Sequence, residues 1–247
     1  PFETPHRFGY GMKVFGYEGP MMDIGNALEA SQGKELRGKL AFDILRDGRR
    51  KRVVLRLPGK YGQFAATFPF ECAKTERILD ELVAYLLERQ RPDGSWHGRP
   101  HINAFAALAL LASRDKKAMP AVEKAMAYFA RTTDDEIDYR GLDCWKYGLY
   151  GVCLAEYHLA TGDRKVLGEL REIDRWLIQA QVDAPYRKGK GTGGWGHRPK
   201  DRPGGNGYGP ICMITAQAMT AWSLMARCGI EIDRKRYTSA GGTTSID

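Results

Sequence analysis

The sequence lacks several features that would assign it to a common class of protein. It has no run of about 18 apolar residues, so no segment is predicted to span a membrane as a helix. It has no Gly-x-Ser-x-Gly motif, so Ser/His/Asp catalysis has no support. Its glycine-rich loop over 189–209 follows a predicted helix and lacks the Gly-Lys-Ser/Thr ending of a P-loop. Neither a hydrolase triad nor a nucleotide-binding loop is therefore expected.

Cysteine is scarce and is not spaced for metal or disulfide chemistry. The chain has five cysteines, an odd number, and none belongs to a Cys-x-x-Cys pair. This spacing fits neither a zinc finger nor a dense disulfide framework. Cys153, Cys212 and Cys228 lie in apolar helical patterns, where a thiol is expected to act as a small core side chain.

The net charge of +8 is concentrated in two clusters. One lies between Arg46 and Arg56, and the other lies between Arg187 and Arg202. Such clusters can bind nucleic acid, anionic lipid or acidic glycans, or can form a solvated turn and a solvated loop. No aromatic residues interleave the first cluster, which argues against binding of single-stranded nucleic acid. We predict no nucleic-acid partner.

The chain divides near residue 60 into two parts of different pattern. The first part predicts a helix over Met22–Gln32, then strands over Lys39–Arg46 and Val53–Leu57 that flank an Asp47-Gly48 hairpin turn. This order resembles the closing half of a PDZ domain, in which Gly9–Phe15 would be an earlier strand. The resemblance implies a partial PDZ-like module over 1–58, with a linker over 59–73.

From Lys74 onward the pattern is helical. The predicted helices are Lys74–Arg89, Asn103–Ser113, Met119–Arg131, Cys144–Ala160, Arg164–Gln181 and Ile211–Cys228. The second, fourth and sixth are nearly uncharged, whereas the others carry charges on one face. Because a helix that is apolar almost all round is buried, the sequence predicts alternating inner and outer helices over 74–237. The small polar residues over 238–247 predict a flexible tail.

A short motif follows the first of these helices. Gln90 can cap the carbonyls at the helix end, Gly94 turns the chain, and Trp96 is expected to stack under the Gln90 amide. A looser copy runs from Gln181 to Trp195. The motif resembles the Gln-x-x-x-Gly-x-Trp repeat of terpenoid cyclases and protein prenyltransferases, whose helical hairpins close into an α/α toroid. The predicted fold class is therefore mainly α: an arc of an α/α toroid, preceded by a small α+β module.

The order of the two parts carries a second resemblance. A PDZ-like piece followed by toroid hairpins, with segments such as Leu154–Asp163, resembles a bacterial family of unknown function that combines both. That resemblance implies an extracytoplasmic location and no particular activity. About half of a ring is present and the chain opens inside the PDZ-like pattern. We therefore expect either missing sequence or a second copy of the chain, as a homo-oligomer, to cover the apolar helix Ile211–Cys228.

The candidate site lies where three long loops lead into apolar helices. The loops over 90–102, 132–143 and 182–210 are expected to meet at one mouth of the toroid. The candidate ligand-binding residues are Trp96, Trp145 and Trp195. The candidate groups for acid–base catalysis are His97, His101, His197, Tyr208 and Asp143.

Two metal-dependent chemistries have partial motifs here. Asp143, Cys144 and His197 are the ligand types of the prenyltransferase zinc site, but Asp and Cys are adjacent here instead of being separated by one residue. The segment Asp134-Asp135-Glu136-Ile137-Asp138 spells the DDxxD pattern of class I terpenoid synthases, which belongs on a different all-α fold. A buried helix start and a solvated acidic turn account for both, so we expect no metal and no cofactor.

Two functions fit these observations. The first is a binding or scaffold protein that holds a glycan, a protein or a peptide at the loop mouth. The alternative is a toroid-class enzyme that acts on a polysaccharide, and less readily on an isoprenoid, by acid–base catalysis.

Overall fold

The computed structural model describes residues 20–133, 142–182, 191–199 and 209–241. Within these residues the protein is mainly helical and has one small two-stranded antiparallel sheet. The chain divides between Leu82 and Val83 into two compact units. No helix among the described residues has the length and apolar character needed to cross a membrane.

The first unit contains a helix and a β-hairpin. Helix α1 covers Pro20–Ser31, strand β1 covers Lys39–Arg46 and strand β2 covers Arg49–Arg56. Asp47 and Gly48 both have positive φ, of 53° and 72°, as a two-residue hairpin turn of matching twist requires. The predicted antiparallel hairpin is confirmed.

The hairpin differs from the sequence prediction in the start of β2. The prediction began this strand at Val53, but pairing begins at Arg49, directly opposite Arg46. The first basic cluster therefore lies largely along β2 and not in a turn, and its arginines are exposed. The alternation of apolar residues fails here because the first four residues of β2 are all cationic. The predicted earlier strand, Gly9–Phe15, lies outside the described residues.

The segment between β2 and the following helix is held by local contacts in the first unit. Phe64 and Phe68 pack on each other with ring centroids 4.5 Å apart, and both rings are about half exposed. The ammonium group of Lys74 lies 4.0 Å from the centroid of the Phe64 ring and forms an ion pair with Glu29. Tyr61 and Lys60 both contact the carboxylate of Glu81.

The second unit consists of helices. The first of them begins before the boundary at Leu82 and continues past it. In order they are α2 (Ala73–Arg89), α3 (Pro100–Ser113), α4 (Met119–Phe129), α5 (Asp143–Thr161), α6 (Leu167–Ala180), α7 (Cys212–Arg227) and α8 (Arg234–Ser239). All six predicted helices are present, with ends that shift by a few residues.

Helix α5 lies at the centre of this unit and packs against α3, α4, α6 and α7. Tyr150 of α5 stacks on Phe129 of α4, with ring centroids 4.1 Å apart. Tyr147 of α5 stacks on Trp176 of α6, with ring centroids 3.9 Å apart. Gly151 lets α7 approach closely, because a Cβ there would lie 2.9 Å from the Met225 side chain. The core is therefore built around the least charged helices, as their composition predicts.

The same turn joins α3 to α4 and α5 to α6. Asp115 accepts a hydrogen bond from the backbone N–H of Lys117, and Asp163 accepts one from Lys165, in each case at the start of a short 3-10 turn that leads into the helix. Such a cap satisfies backbone donors that a helix start leaves unpaired. Helices α4 and α6 therefore begin at equivalent positions of a repeated unit.

The described residues that follow α7 pack against the core of the second unit. Ile214, Trp222, Leu224 and Met225 of α7 are buried, covered in part by Ile230 and Ile232 of the segment that follows. The chain itself therefore buries four side chains of the helix that we expected missing sequence or a second copy to cover, and the homo-oligomer stays a prediction. The predicted tail over 238–247 starts inside α8, where Thr238 and Ser239 are helical, and 242–247 lie outside the described residues. Cys212, predicted to be a core residue, is exposed at the first position of α7.

Candidate functional site

The turn after α2 is closed by two side chains. The amide of Gln90 donates to the carbonyl oxygens of Gly94, at 3.1 Å, and Ala121, at 2.8 Å. The indole N–H of Trp96 donates to the carbonyl oxygen of Leu86 at 2.7 Å. The prediction that Gln90 caps the helix end is wrong, because Trp96 binds the α2 carbonyl and Gln90 ties the turn to α4.

The turn after α6 repeats this geometry. The amide of Gln181 donates to the carbonyl oxygens of Gly193, at 2.6 Å, and Arg236, at 3.0 Å. The indole N–H of Trp195 donates to the carbonyl oxygen of Leu177 at 2.9 Å. Gln181 therefore links its turn to α8 as Gln90 links its turn to α4. These two motifs are structural staples of equivalent helical hairpins.

Burial separates the three candidate tryptophans. Trp195 is 0% exposed and packs edge-on against Trp222, with ring centroids 4.8 Å apart. A side chain without exposed surface offers no face to a ligand, so the binding role of Trp195 stays a prediction that its burial does not support. Trp96 and Trp145 are both partly exposed. Trp145 is partly exposed and also lies beside the candidate His197, so it is the tryptophan best placed to contact a ligand.

Trp145 and His197 form a flat pair at the start of α5. The indole N–H of Trp145 lies 3.0 Å from Nδ1 of His197, and the two rings are nearly parallel, with centroids 6.2 Å apart. The backbone N–H of Cys144 also donates to the carbonyl oxygen of His197 at 3.3 Å. Since the indole can only donate, Nδ1 accepts and the neutral imidazole carries its proton on Nε2.

Helix α7 is linked by hydrogen bonds to both segments that carry this pair. The amide of Gln217 donates to the carbonyl oxygen of Trp145 at 2.9 Å, and Gly148 makes room for it, because a Cβ there would lie 2.7 Å from the Gln217 nitrogen. The backbone N–H of Trp195 donates to the Thr215 hydroxyl at 3.1 Å. The 191–199 segment and the first turns of α5 and α7 are thus one hydrogen-bonded frame. Sequence reasoning missed Gln217, because an isolated glutamine on an apolar helix carries no motif.

The first residues of α5 are poorly suited to metal chemistry. Asp143 and Cys144 are buried, at 6% and 0% exposure. Burial raises the pKa of the Cys144 thiol, and the neighbouring Asp143 carboxylate raises it further, so the metal-binding thiolate is disfavoured. Within the described ranges no group of three or more His, Cys, Asp or Glu side chains is placed to hold a metal ion.

The remaining candidate residues lie elsewhere. His97 is exposed, and its Nδ1 accepts a hydrogen bond from the backbone N–H of Arg99 at 3.1 Å. Asn103 fixes the backbone there by accepting from the N–H groups of Trp96 and His97. His101 is partly buried in the first turn of α3. Tyr208, Asp134, Asp135 and Asp138 lie outside the described residues.

The helical unit carries a family assignment. A family model described as a domain of unknown function, DUF6288, matches residues 75–241. Because this match covers more than half of the chain, the protein belongs to the DUF6288 family. No curated protein and no solved structure matches the chain.

Proposed function

We propose that this protein is a binding or scaffold protein whose ligand mouth surrounds Trp145 and His197. The observation that supports this most is the rigid presentation of a partly exposed indole and imidazole pair on buried backbone. Hydrogen bonds from Gln217 and Cys144 hold the two residues from different elements. A flat aromatic surface that is fixed before binding loses little side-chain entropy when a ligand stacks on it.

We also propose that the helical hairpins form an arc of an α/α toroid and that residues 1–58 are a partial PDZ-like module. Support for the arc comes from the equivalent Gln90 and Gln181 turns and from the repeated Asp115 and Asp163 caps. Support for the module is the order of helix, strand, Asp-Gly turn and strand in the first unit. Two of the three loops predicted to meet at the mouth lie mostly outside the described residues, over 134–141, 183–190 and 200–208.

The ligand that we favour is a glycan. A sugar ring presents a face of C–H groups that packs on an aromatic ring, while its hydroxyls need donors and acceptors at the edge of that ring. The Trp145 ring would provide the face on which the C–H groups pack. The Nε2–H of His197 would donate a hydrogen bond to a hydroxyl at its edge. A protein or peptide ligand is the alternative, because exposed tryptophan is also frequent at the centre of protein interfaces.

Screening the purified protein on glycan and peptide arrays tests the proposal. The informative variants are Trp145→Ala, which removes the ring, and Trp145→Phe, which keeps an aromatic face but loses the N–H donor. Phe105→Ala is the matched control, because Phe105 is an exposed aromatic on α3 at 58% exposure. We expect binding that Trp145→Ala abolishes, Trp145→Phe weakens and Phe105→Ala leaves unchanged. Absence of binding to every array, or binding that Trp145→Ala leaves intact, would contradict the proposal.

The alternative function is an enzyme that acts on a polysaccharide by acid–base catalysis. It is favoured by one observation: the bond from Trp145 makes Nε2–H of neutral His197 a hydrogen-bond donor, which could stabilise negative charge that develops on a leaving group. Asp143, His97, His101 and Tyr208 stay candidates for further roles. The test is release of new reducing ends from the glycan that the array selects. Release that His197→Gln abolishes would favour the enzyme, and binding without release would favour the scaffold.

A further inference from the structure

A cavity that shares no lining residue with the Trp145–His197 pair borders the C-terminal half of α6. It has a volume of about 690 Å³ and is bounded by α6, by the end of α7 and by the segment that leads into α8. Its walls include Ile178, Ile230 and Ile232, and its charged groups are three acids and one base: Asp174, Glu231, Asp233 and Arg234. The cavity is therefore apolar on its sides and carries a local excess of negative charge.

Asp174 occupies a position that the repeat otherwise fills with an apolar residue. Helices α4 and α6 begin at equivalent points after the Asp115 and Asp163 caps, which places Asp174 at the position of Met126. Met126 is 2% exposed and is part of the core, and Asp174 is only 9% exposed. Burying a carboxylate at such a position costs free energy unless a partner compensates it. Core packing alone does not explain this aspartate.

The compensation for Asp174 inside the chain is incomplete. Among the described residues the indole nitrogen of Trp222 faces this carboxyl group as a donor, but no hydrogen bond of normal geometry joins it to Oδ1. Burial raises the pKa of Asp174 to about 6, while Trp222 and Arg175 act in the opposite direction. A nine-tenths buried carboxyl group that forms no ion pair among the described residues thus lines this cavity.

We propose that this Asp174 cavity binds a primary ammonium group on an apolar stem, with the ammonium against Asp174 and the stem against the isoleucines. The ammonium donates three hydrogen bonds and supplies the charge that the buried carboxylate lacks. Glu231 and Asp233, on the exposed segment, attract the cation toward the opening. A free alkylamine and a lysine side chain share this chemistry.

An NMR titration tests the proposal. The indole N–H resonance of Trp222, assigned with Trp222→Phe, is followed while n-pentylamine is added, with n-pentanol as the neutral control of similar shape. Nα-acetyl-lysine amide tests the lysine source, and its Nε-acetylated form is the control for that arm. We expect a saturable shift of the Trp222 resonance with one or both amines. The amine that binds more tightly shows whether the natural ligand is a free alkylamine or a lysine side chain. Neither uncharged control should produce this shift.

Three variants complete the test. Asp174→Asn keeps the shape but removes the charge, and it should weaken amine binding at least about tenfold, which corresponds to about 1.4 kcal/mol. Glu231→Gln, on the exposed rim, should weaken it about two- to threefold. Glu123→Gln removes an acid from the groove beside α4 that corresponds to the Asp174 cavity. That groove contains no buried carboxylate, so this variant should not change amine affinity.

Three results would overturn the proposal. These are no saturable shift with either amine, an equal shift with pentanol, and unchanged amine affinity in a folded Asp174→Asn protein. Should Asp174→Asn fail to fold, an unchanged affinity in Glu231→Gln together with an equal response to pentanol would overturn it instead. This cavity shares no residue with the Trp145–His197 mouth, so its test succeeds or fails independently of the proposed function.

Discussion

The indole N–H of Trp145 donates to Nδ1 of His197 across a distance of 3.0 Å, joining the start of α5 to the 191–199 segment. This contact fixes the orientation of both rings and selects one tautomer of the neutral imidazole. The histidine, which sequence alone places in a long loop, is thereby held against a buried helix start.

The tautomer of His197 depends on this bond. In the wild-type protein we expect the neutral imidazole to carry its proton on Nε2, because Nδ1 accepts from the indole. Trp145→Phe removes the donor and should give a mixture of the two tautomers. Long-range ¹H–¹⁵N correlation spectra of the neutral imidazole distinguish them. A wild-type spectrum dominated by the Nδ1–H form would contradict the geometry.

The two glycines of the staple turns cannot carry a side chain. Gly94 and Gly193 have φ of 96° and 86°, and a Cβ would lie 2.3 Å from the Lys124 carbonyl oxygen and 1.9 Å from that of Ser239. Gly94→Ala and Gly193→Ala should each lower the free energy of unfolding by more than about 3 kcal/mol. Chemical denaturation measures this. Gly98→Ala, with open space around its Cβ, is the control and should change it by less than about 0.5 kcal/mol.

Gln181 is predicted to matter for stability and not for ligand binding. Gln181→Ala removes the donor to the Gly193 and Arg236 carbonyls, and Gln181 is only 1% exposed. Leaving buried acceptors without a donor should cost about 2 kcal/mol and loosen α8. Denaturation and hydrogen exchange in α8 report both effects. Gln179→Ala, at an exposed position near the end of α6, should change neither, and equal losses in the two variants would contradict the staple role.

Asp174 makes the stability of the fold depend on pH. Its pKa is raised from 3.8 to about 6 in the folded protein, so the folded state holds this proton more tightly than the unfolded state. Its contribution to stability is therefore present below about pH 4 and is lost as pH rises through 6, at a cost of about 3 kcal/mol. Asp174→Asn should raise the free energy of unfolding at pH 7.5 and have little effect near pH 4. A destabilised variant at pH 7.5 would contradict this.

The sequence predicts the helices well because their signal is local. The apolar composition of α5 and the Asp47-Gly48 turn each identify an element without knowledge of its neighbours. Helix α8 is not predicted, because Arg234–Ser239 shows no repeat of apolar residues at helical spacing. Its place depends on Gln181, which binds the carbonyl of Arg236.

The candidate site is predicted less completely, because burial and partnership depend on packing. Trp195 and Trp145 both stand beside loops in the sequence, yet one is fully buried and the other is partly exposed. Gln217 and Asp174 carry no motif, and they gain their roles only when α7 packs on α5 and α6. Residue type and spacing therefore identify His197 and Trp145 as candidates but cannot pair them.

The most direct test of the ligand mouth is the Trp145 indole N–H resonance, measured while the ligand selected by the arrays is added to the wild-type protein. The proposed function predicts a saturable shift of this resonance, accompanied by shifts of the His197 ring signals, while the buried indole of Trp195 responds weakly. A ligand that binds but leaves both Trp145 and His197 unperturbed would contradict the claim that these two residues form the site.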